Sequence, residues 1–130
     1  MKKHYGVVSV FAFVAGLIWQ TPLQAQNYPE RPVKVIVSIA AGSVTDVIMR
    51  MMDKELAPRL GQSMIIENRG GASGILAAQA CKASAPDGYT LCVIYHSTLS
   101  FNPLLFNKLP YDADKDFELI TRLFFLVEGL

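Results

Sequence analysis

The chain has 130 residues, 52% of them apolar, and its 12 basic and 11 acidic side chains leave a net charge of +1. That balance, with no basic run beyond Lys2 and Lys3, excludes the clustered positive surface that nucleic-acid binding requires. The length suits one domain or part of one.

The first 25 residues read as a secretory signal peptide. Lys2 and Lys3 precede a 14-residue uncharged apolar run, residues 6–19, and a small residue, Ala25, closes the segment. The run is shorter than the roughly 18 residues of a membrane-spanning helix. Cleavage near Ala25 would remove both lysines and no acid, leaving 10 basic and 11 acidic groups and a net charge of −1. Residues 26–130 are therefore expected to form one exported, soluble domain or part of one.

The elements follow in order. Residues 27–32, NYPERP, carry two prolines and read as an extended lead-in. Residues 33–39, VKVIVSI, are apolar at nearly every position, which suits a strand buried on both faces of a parallel sheet. The spacing of Val47, Ile48, Met51, Met52, Leu56 and Leu60 predicts a helix over 45–60 with that stripe facing the core. Thr45 or Asp46 is the natural N-cap and Gly61 the stop. A second strand is expected over 63–69, a small-residue helix over 75–85, a turn at Pro86–Gly88 and a third strand over 89–95. Residues 96–117 read as loop with a short helix near 103–107. Residues 118–127 fit a strand or the start of a helix.

Cys81 falls on the second helix and Cys92 on the third strand. They could pair in an oxidising compartment if the geometry allows. The simpler reading makes both small core residues.

The alternation of strand and helix predicts an α/β parallel sheet flanked by helices. Ligands of such sheets sit outside the carboxyl ends of the strands. Three loops leave those ends: AAGSVTD (40–46), GGASG (70–74) and HSTLSFN (96–102), all rich in Gly, Ser and Thr. Two lead into helix N-termini, whose free N–H groups favour anions. The enzyme motifs fail on inspection. No Gly-Lys-Ser/Thr ends the first loop, the glycines of NRGGASG are not in G-x-G-x-x-G order, and GASGI lacks the second glycine of a nucleophile elbow. His96 is the single histidine beyond the signal peptide, without a zinc-ligand cluster around it, and reads as a loop hydrogen-bonder. Capping alone would explain Asp46, and turn geometry alone would explain Gly70, Gly71 and Gly74.

Taken together, YPERPVKVIV, AAGSVTDVIMRMM, LGQSMIIENRGGASGILAA, APDGYTL and FNPLLFNKLPYDADKDFELIT resemble the Bug receptors, the extracytoplasmic substrate-binding proteins of tripartite tricarboxylate transporters. The likeness spans residues 28–121. It implies a periplasmic-binding-protein-like fold of two α/β domains with a ligand cleft between them. It also implies a periplasmic location, capture of a small organic acid and delivery to membrane permease subunits; no cofactor is expected. Carried over position by position, it assigns ligand contact to Gly42, Ser43, Thr45 and Asp46, to Gly70, Gly71, Ala72 and Ser73, and to Ser97, Thr98 and Asn102. The chain departs from the family pattern at Ser38, Ile39 and Ala40, where prolines and an aromatic are usual. It departs also at Ser43 (a glycine), Gly70 (a proline), and Tyr95 and His96 (small residues). From residue 122 on, RLFFLVEGL diverges, and the expectation is a truncated form holding an incomplete first domain only. The alternatives are a non-functional fragment and, requiring His96 as a base, a small exported hydrolase.

Overall fold

A computed structural model describes residues 28–125. The expected signal peptide and the end of the 118–127 segment lie outside the described residues.

The β-branched run forms β1 (Val33–Val37), as its composition requires, and β1 lies at the centre of a three-stranded parallel sheet. β2 (Met64–Asn68) pairs on one side, with Val35 opposite Ile66. β3 (Thr90–Val93) pairs on the other, with Val35 opposite Leu91. A strand flanked on both sides and covered on both faces favours apolar residues: Val35, Ile36 and Val37 are fully buried, while Lys34 near its start is half-buried and pairs with Glu67 at 3.4 Å. The strands are shorter at their ends than the apolar runs that announce them.

α1 (Val44–Leu60) connects β1 to β2 and lies on one face of the sheet. Its Met49 packs with Val35 and Val37, and Ile39, Met52, Met64, Ile66, Leu91 and Val93 close around them. The strand's alternation sends Ile36 to the opposite face. α2 (Ile75–Lys82), whose buried positions are Ala77 and Ala78, packs against β1 and β3. Small residues there let helix and sheet approach closely.

The inward face of α1 differs from the expected stripe. Val47, Met51 and Leu60 are exposed, Met51 by 61%, while Thr45, Asp46 and Met49 are buried. The helix carries apolar residues on two flanks, so periodicity alone does not select a face. The first turn selects it: Asp46 is tied to the loop before the helix, and that tie sets the rotation of the rest. The N-cap is Ser43, in extended conformation, rather than Thr45 or Asp46. Its Oγ accepts from the Asp46 N–H at 3.3 Å. Gly61 ends the helix as expected, left-handed at φ 70°, its N–H donating to the Ala57 carbonyl at 2.9 Å.

Between β2 and α2 lies a short turn of 3₁₀ type, Ala72–Gly74. After β3 come α3 (His96–Ser100) and α4 (Asn102–Leu105), two short helices where mostly loop was expected. Residues 118–125 adopt neither strand nor helix.

The two cysteines form a disulfide, contrary to the simpler reading of two buried thiols. Both are half-exposed, and their Cα atoms stand 6.2 Å apart, within the range that a disulfide spans. Packing α2 across β3 brings them together, and no local spacing rule reports that.

Candidate functional site

The loops after β1 and β2 are stitched to one another at the carboxyl edge of the sheet. The Arg69 N–H donates to the Val37 carbonyl at 2.8 Å, and Asn68 Nδ2 donates to the Ile39 carbonyl at 3.2 Å. Gly70 crosses so close to the first loop that a Cβ there would stand 3.1 Å from Ala40 N and 3.2 Å from Ile39 C. A side chain would push the two loops apart. The third strand joins the same edge, where the Ser38 N–H donates to the Val93 carbonyl at 3.1 Å.

A charged group organises the first loop. Asp46 sits in the first turn of α1, only 3% exposed. Its Oδ2 accepts from the Gly42 N–H at 2.9 Å and from Arg50 Nε at 3.1 Å, and its Oδ1 faces the Arg50 guanidinium at 3.0 Å. Arg50 also donates to Asn68 Oδ1 at 3.3 Å, so one guanidinium bridges helix and β2. The Arg50 hydrogen bond, followed by the Gly42 amide, overcomes the opposing effect of burial and lowers the carboxyl pKa from 3.8 to about 2. Asp46 is therefore ionised at any physiological pH. It holds Gly42 in its left-handed conformation (φ 81°), which only glycine adopts without strain.

This arrangement changes what the loop offers a ligand. The Gly42 N–H is held by Asp46, the Ser43 N–H donates to the Ala40 carbonyl at 3.3 Å, and Ser43 Oγ caps the helix. Of the expected contacts, Gly42, Ser43 and Asp46 thus have their main polar groups engaged within the loop. The N–H groups of Val44 and Thr45 remain free among the described residues, as the first turn of a helix leaves them. They stand at the positive end of a 17-residue helix. Thr45 Oγ1, in the same turn, is buried and has no hydrogen-bond partner among the described residues.

A neutral group organises the second loop. Ala72, Ser73 and Gly74 are all left-handed, at φ 48°, 53° and 80°. For the first two this is a strained conformation that the surroundings must enforce. The Ser73 carbonyl accepts from Thr98 Oγ1 at 3.1 Å and from Asn102 Nδ2 at 3.0 Å. Asn102 Nδ2 also donates to the Tyr111 hydroxyl at 3.2 Å, which in turn donates to the Thr98 carbonyl at 2.6 Å. Thr98 is 0% exposed and Asn102 1%, so the structure gives these two the role of holding Ser73 rather than a place on the surface. Gly71, Ala72 and Ser73 are exposed at the loop tip, and Ser97 is half-buried in the first turn of α3.

Three participants escaped sequence reasoning: Arg50, Asn68 and Tyr111. The i,i+4 spacing of Asp46 and Arg50 on a helix could have flagged the first. Asn68 and Tyr111 carry no local signal. His96 is exposed, its ring meeting that of Phe101 edge-on at 5.4 Å. Among the described residues no three His, Cys, Asp or Glu side chains gather as metal ligands.

Residues 48–129 match the family profile described as "Tripartite tricarboxylate transporter family receptor". A UPF0065 protein of Bordetella bronchiseptica is 46% identical over 95 residues, 73% of this chain and 28% of that protein. Among solved structures, MatC of Rhodopseudomonas palustris, with bound malate, is 46% identical with a TM-score of 0.63. The match covers 69% of this chain and 31% of that one. The periplasmic binding protein BugD is 36% identical with a TM-score of 0.63 over 70% of this chain and 30% of its own. The chain spans about a third of the length of the relatives it matches.

Proposed function

This chain belongs to the tripartite tricarboxylate transporter receptor family, and from that premise we propose that it is a substrate-binding component of such a transporter, holding a small organic acid by its carboxylate. The observation that carries the reading is the carboxyl edge of the sheet. Two loops are locked in shape there, and the free Val44 and Thr45 N–H groups stand at the positive end of α1. A carboxylate placed against them gains hydrogen bonds and a favourable helix field without displacing any internal partner. The unpartnered hydroxyl of Thr45 supports a polar guest at the same turn, since buried polar groups are ordinarily satisfied. Ala72 and Ser73 are exposed on the second loop, whose start is tied to the first, and the malate in MatC supports a small dicarboxylate as ligand.

Residues 26–130 are read as part of the first of two domains, exported to the periplasm behind a cleaved signal peptide, with permease subunits as partners. The coverage of the longer relatives supports this division. A receptor is favoured over a hydrolase because His96, the base a hydrolase would need, is exposed beside Phe101. The described residues form one wall of a site. Contacts from a single wall offset little of the ordering and desolvation cost of binding, so the expected affinity of this chain is weak.

Titration with malate followed by amide NMR tests the reading. Saturable shifts confined to Val44, Thr45, Ala72 and Ser73 are expected. Amides that stay in place, or that move equally with sodium chloride, would contradict it.

A further inference from the structure

Tyr111 lies 38 residues beyond Ser73 in sequence, in a segment that contributes no strand or helix, yet it is 5% exposed. Its ring meets that of Phe117 at 5.7 Å, near edge-on. Its hydroxyl is the junction of the neutral group described above, donating to the Thr98 carbonyl and accepting from Asn102 Nδ2. The hydrogens are fully allocated. The phenol has one to give and gives it to Thr98. One amide hydrogen of Asn102 goes to the phenol oxygen and the other to the Ser73 carbonyl. The hydroxyl hydrogen of Thr98 goes to the Ser73 carbonyl as well.

Two donors converging on one carbonyl draw the Ser73–Gly74 peptide inward. The Gly74 N–H then closes on the Gly71 carbonyl at 3.0 Å. The space is tight: a Cβ on Gly74 would stand 2.2 Å from Thr98 Oγ1. Ala72 and Ser73 stay left-handed because this arrangement over-determines them. Their N–H groups, with no partner among the described residues, are left for a guest. The Tyr111 hydroxyl touches both holders of this position, Thr98 through its backbone carbonyl and Asn102 through its side-chain amide.

We propose that Tyr111 is a positioning residue for the acid-binding surface, acting through Thr98 and Asn102 on the backbone of Ala72–Gly74. The part of this that concerns the acid rests on the receptor reading above; the part that concerns the loop does not.

The test is Tyr111→Phe, which keeps the ring and its packing and removes only the hydroxyl. Amide hydrogen exchange is read at two places in the same chain: Gly74 in the second loop, and Gly42 in the first, whose amide is held by Asp46. In the variant, Gly74 exchange is expected to accelerate roughly fivefold, the size of effect one neutral buried hydrogen bond commands, while Gly42 keeps its rate. Thr98→Val, which removes one of the two donors to Ser73, is expected to reproduce the pattern. Unchanged Gly74 exchange in Tyr111→Phe overturns the proposal. So does equal acceleration at Gly42 and Gly74, which would make Tyr111 a general packing residue. Malate titration of the same samples decides the other half. A several-fold loss of affinity in Tyr111→Phe is expected. Full retention of affinity with Gly74 loosened refutes the link from loop to ligand. A wild-type chain that binds no malate refutes the receptor reading and leaves the exchange result to decide the loop.

Discussion

Gly42 is held in place by a carboxylate, and Ser73 by a hydroxyl and an amide. The first loop depends on the ionised Asp46 with Arg50 half in solvent; the second depends on Thr98, Asn102 and Tyr111, all uncharged and sealed from water. Both solve the same problem, presenting free backbone donors at the carboxyl edge of a parallel sheet. The difference follows from their surroundings. At the start of α1 the helix itself supplies a cation one turn further on, and water reaches it. Behind the second loop the chain folds over, and an ion there would need desolvation that neutral groups avoid. The first loop should therefore respond to acid, and the second to changes of volume and of hydrogen-bond count.

The largest effect is expected at Gly74, whose φ is 80° and where an added Cβ would clash with Thr98 Oγ1. Gly74→Ala should lower stability by roughly 2–5 kcal/mol, strain and overpacking together, measured by urea unfolding. A neutral substitution would show that the second loop is far softer than its packing implies. Next comes the Cys81–Cys92 disulfide, which joins α2, directly after Gly74, to the strand that leads into α3. Replacing both cysteines with alanine should cost about 3 kcal/mol or less for so short a closed segment. Exchange at Gly74 should rise more than at Gly42. Equal rises would mean that the disulfide supports the whole sheet and not one side of it.

The smallest effect is acid. The Asp46 pKa is lowered in the fold, so its contribution is fully present above the unfolded value near 3.8 and is lost as pH falls through about 2. Glu67, held down first by Arg69, Asp112, held down first by Lys115, and Asp116, held down first by the Asp112 backbone, lose stabilisation on the acid side too. Global unfolding therefore cannot isolate Asp46. The Gly42 amide can: its exchange protection should fall between about pH 4 and 2 while that of Gly74 is less affected, and Asp46→Asn should abolish that local dependence. A Gly42 amide indifferent to pH in the wild-type chain would break the contrast between the loops.

Much of the fold was legible along the chain. The order of strands and helices, the burial of the strand that begins at residue 33 and the stop at Gly61 all appear as expected, because each depends on residues adjacent in sequence. The glycine-rich loops were also placed at the correct edge of the sheet. Less of the site was legible. Ser43 and not Asp46 caps α1, and Thr98 and Asn102 turn inward to hold Ser73. A Thr or Asn in a loop looks the same in sequence whether it faces a ligand or a carbonyl.

By itself, then, the sequence determined the three strands, the two longer helices, their alternation and the chemical character of the loops, since β-branched runs, apolar spacing and glycine stops are local properties. Only the tertiary structure decided which face of α1 is buried, that Cys81 and Cys92 meet, and that a tyrosine 38 residues away secures the second loop. These depend on how helices are rotated and where a later segment folds back, and such choices are made by contacts between residues that no local pattern links.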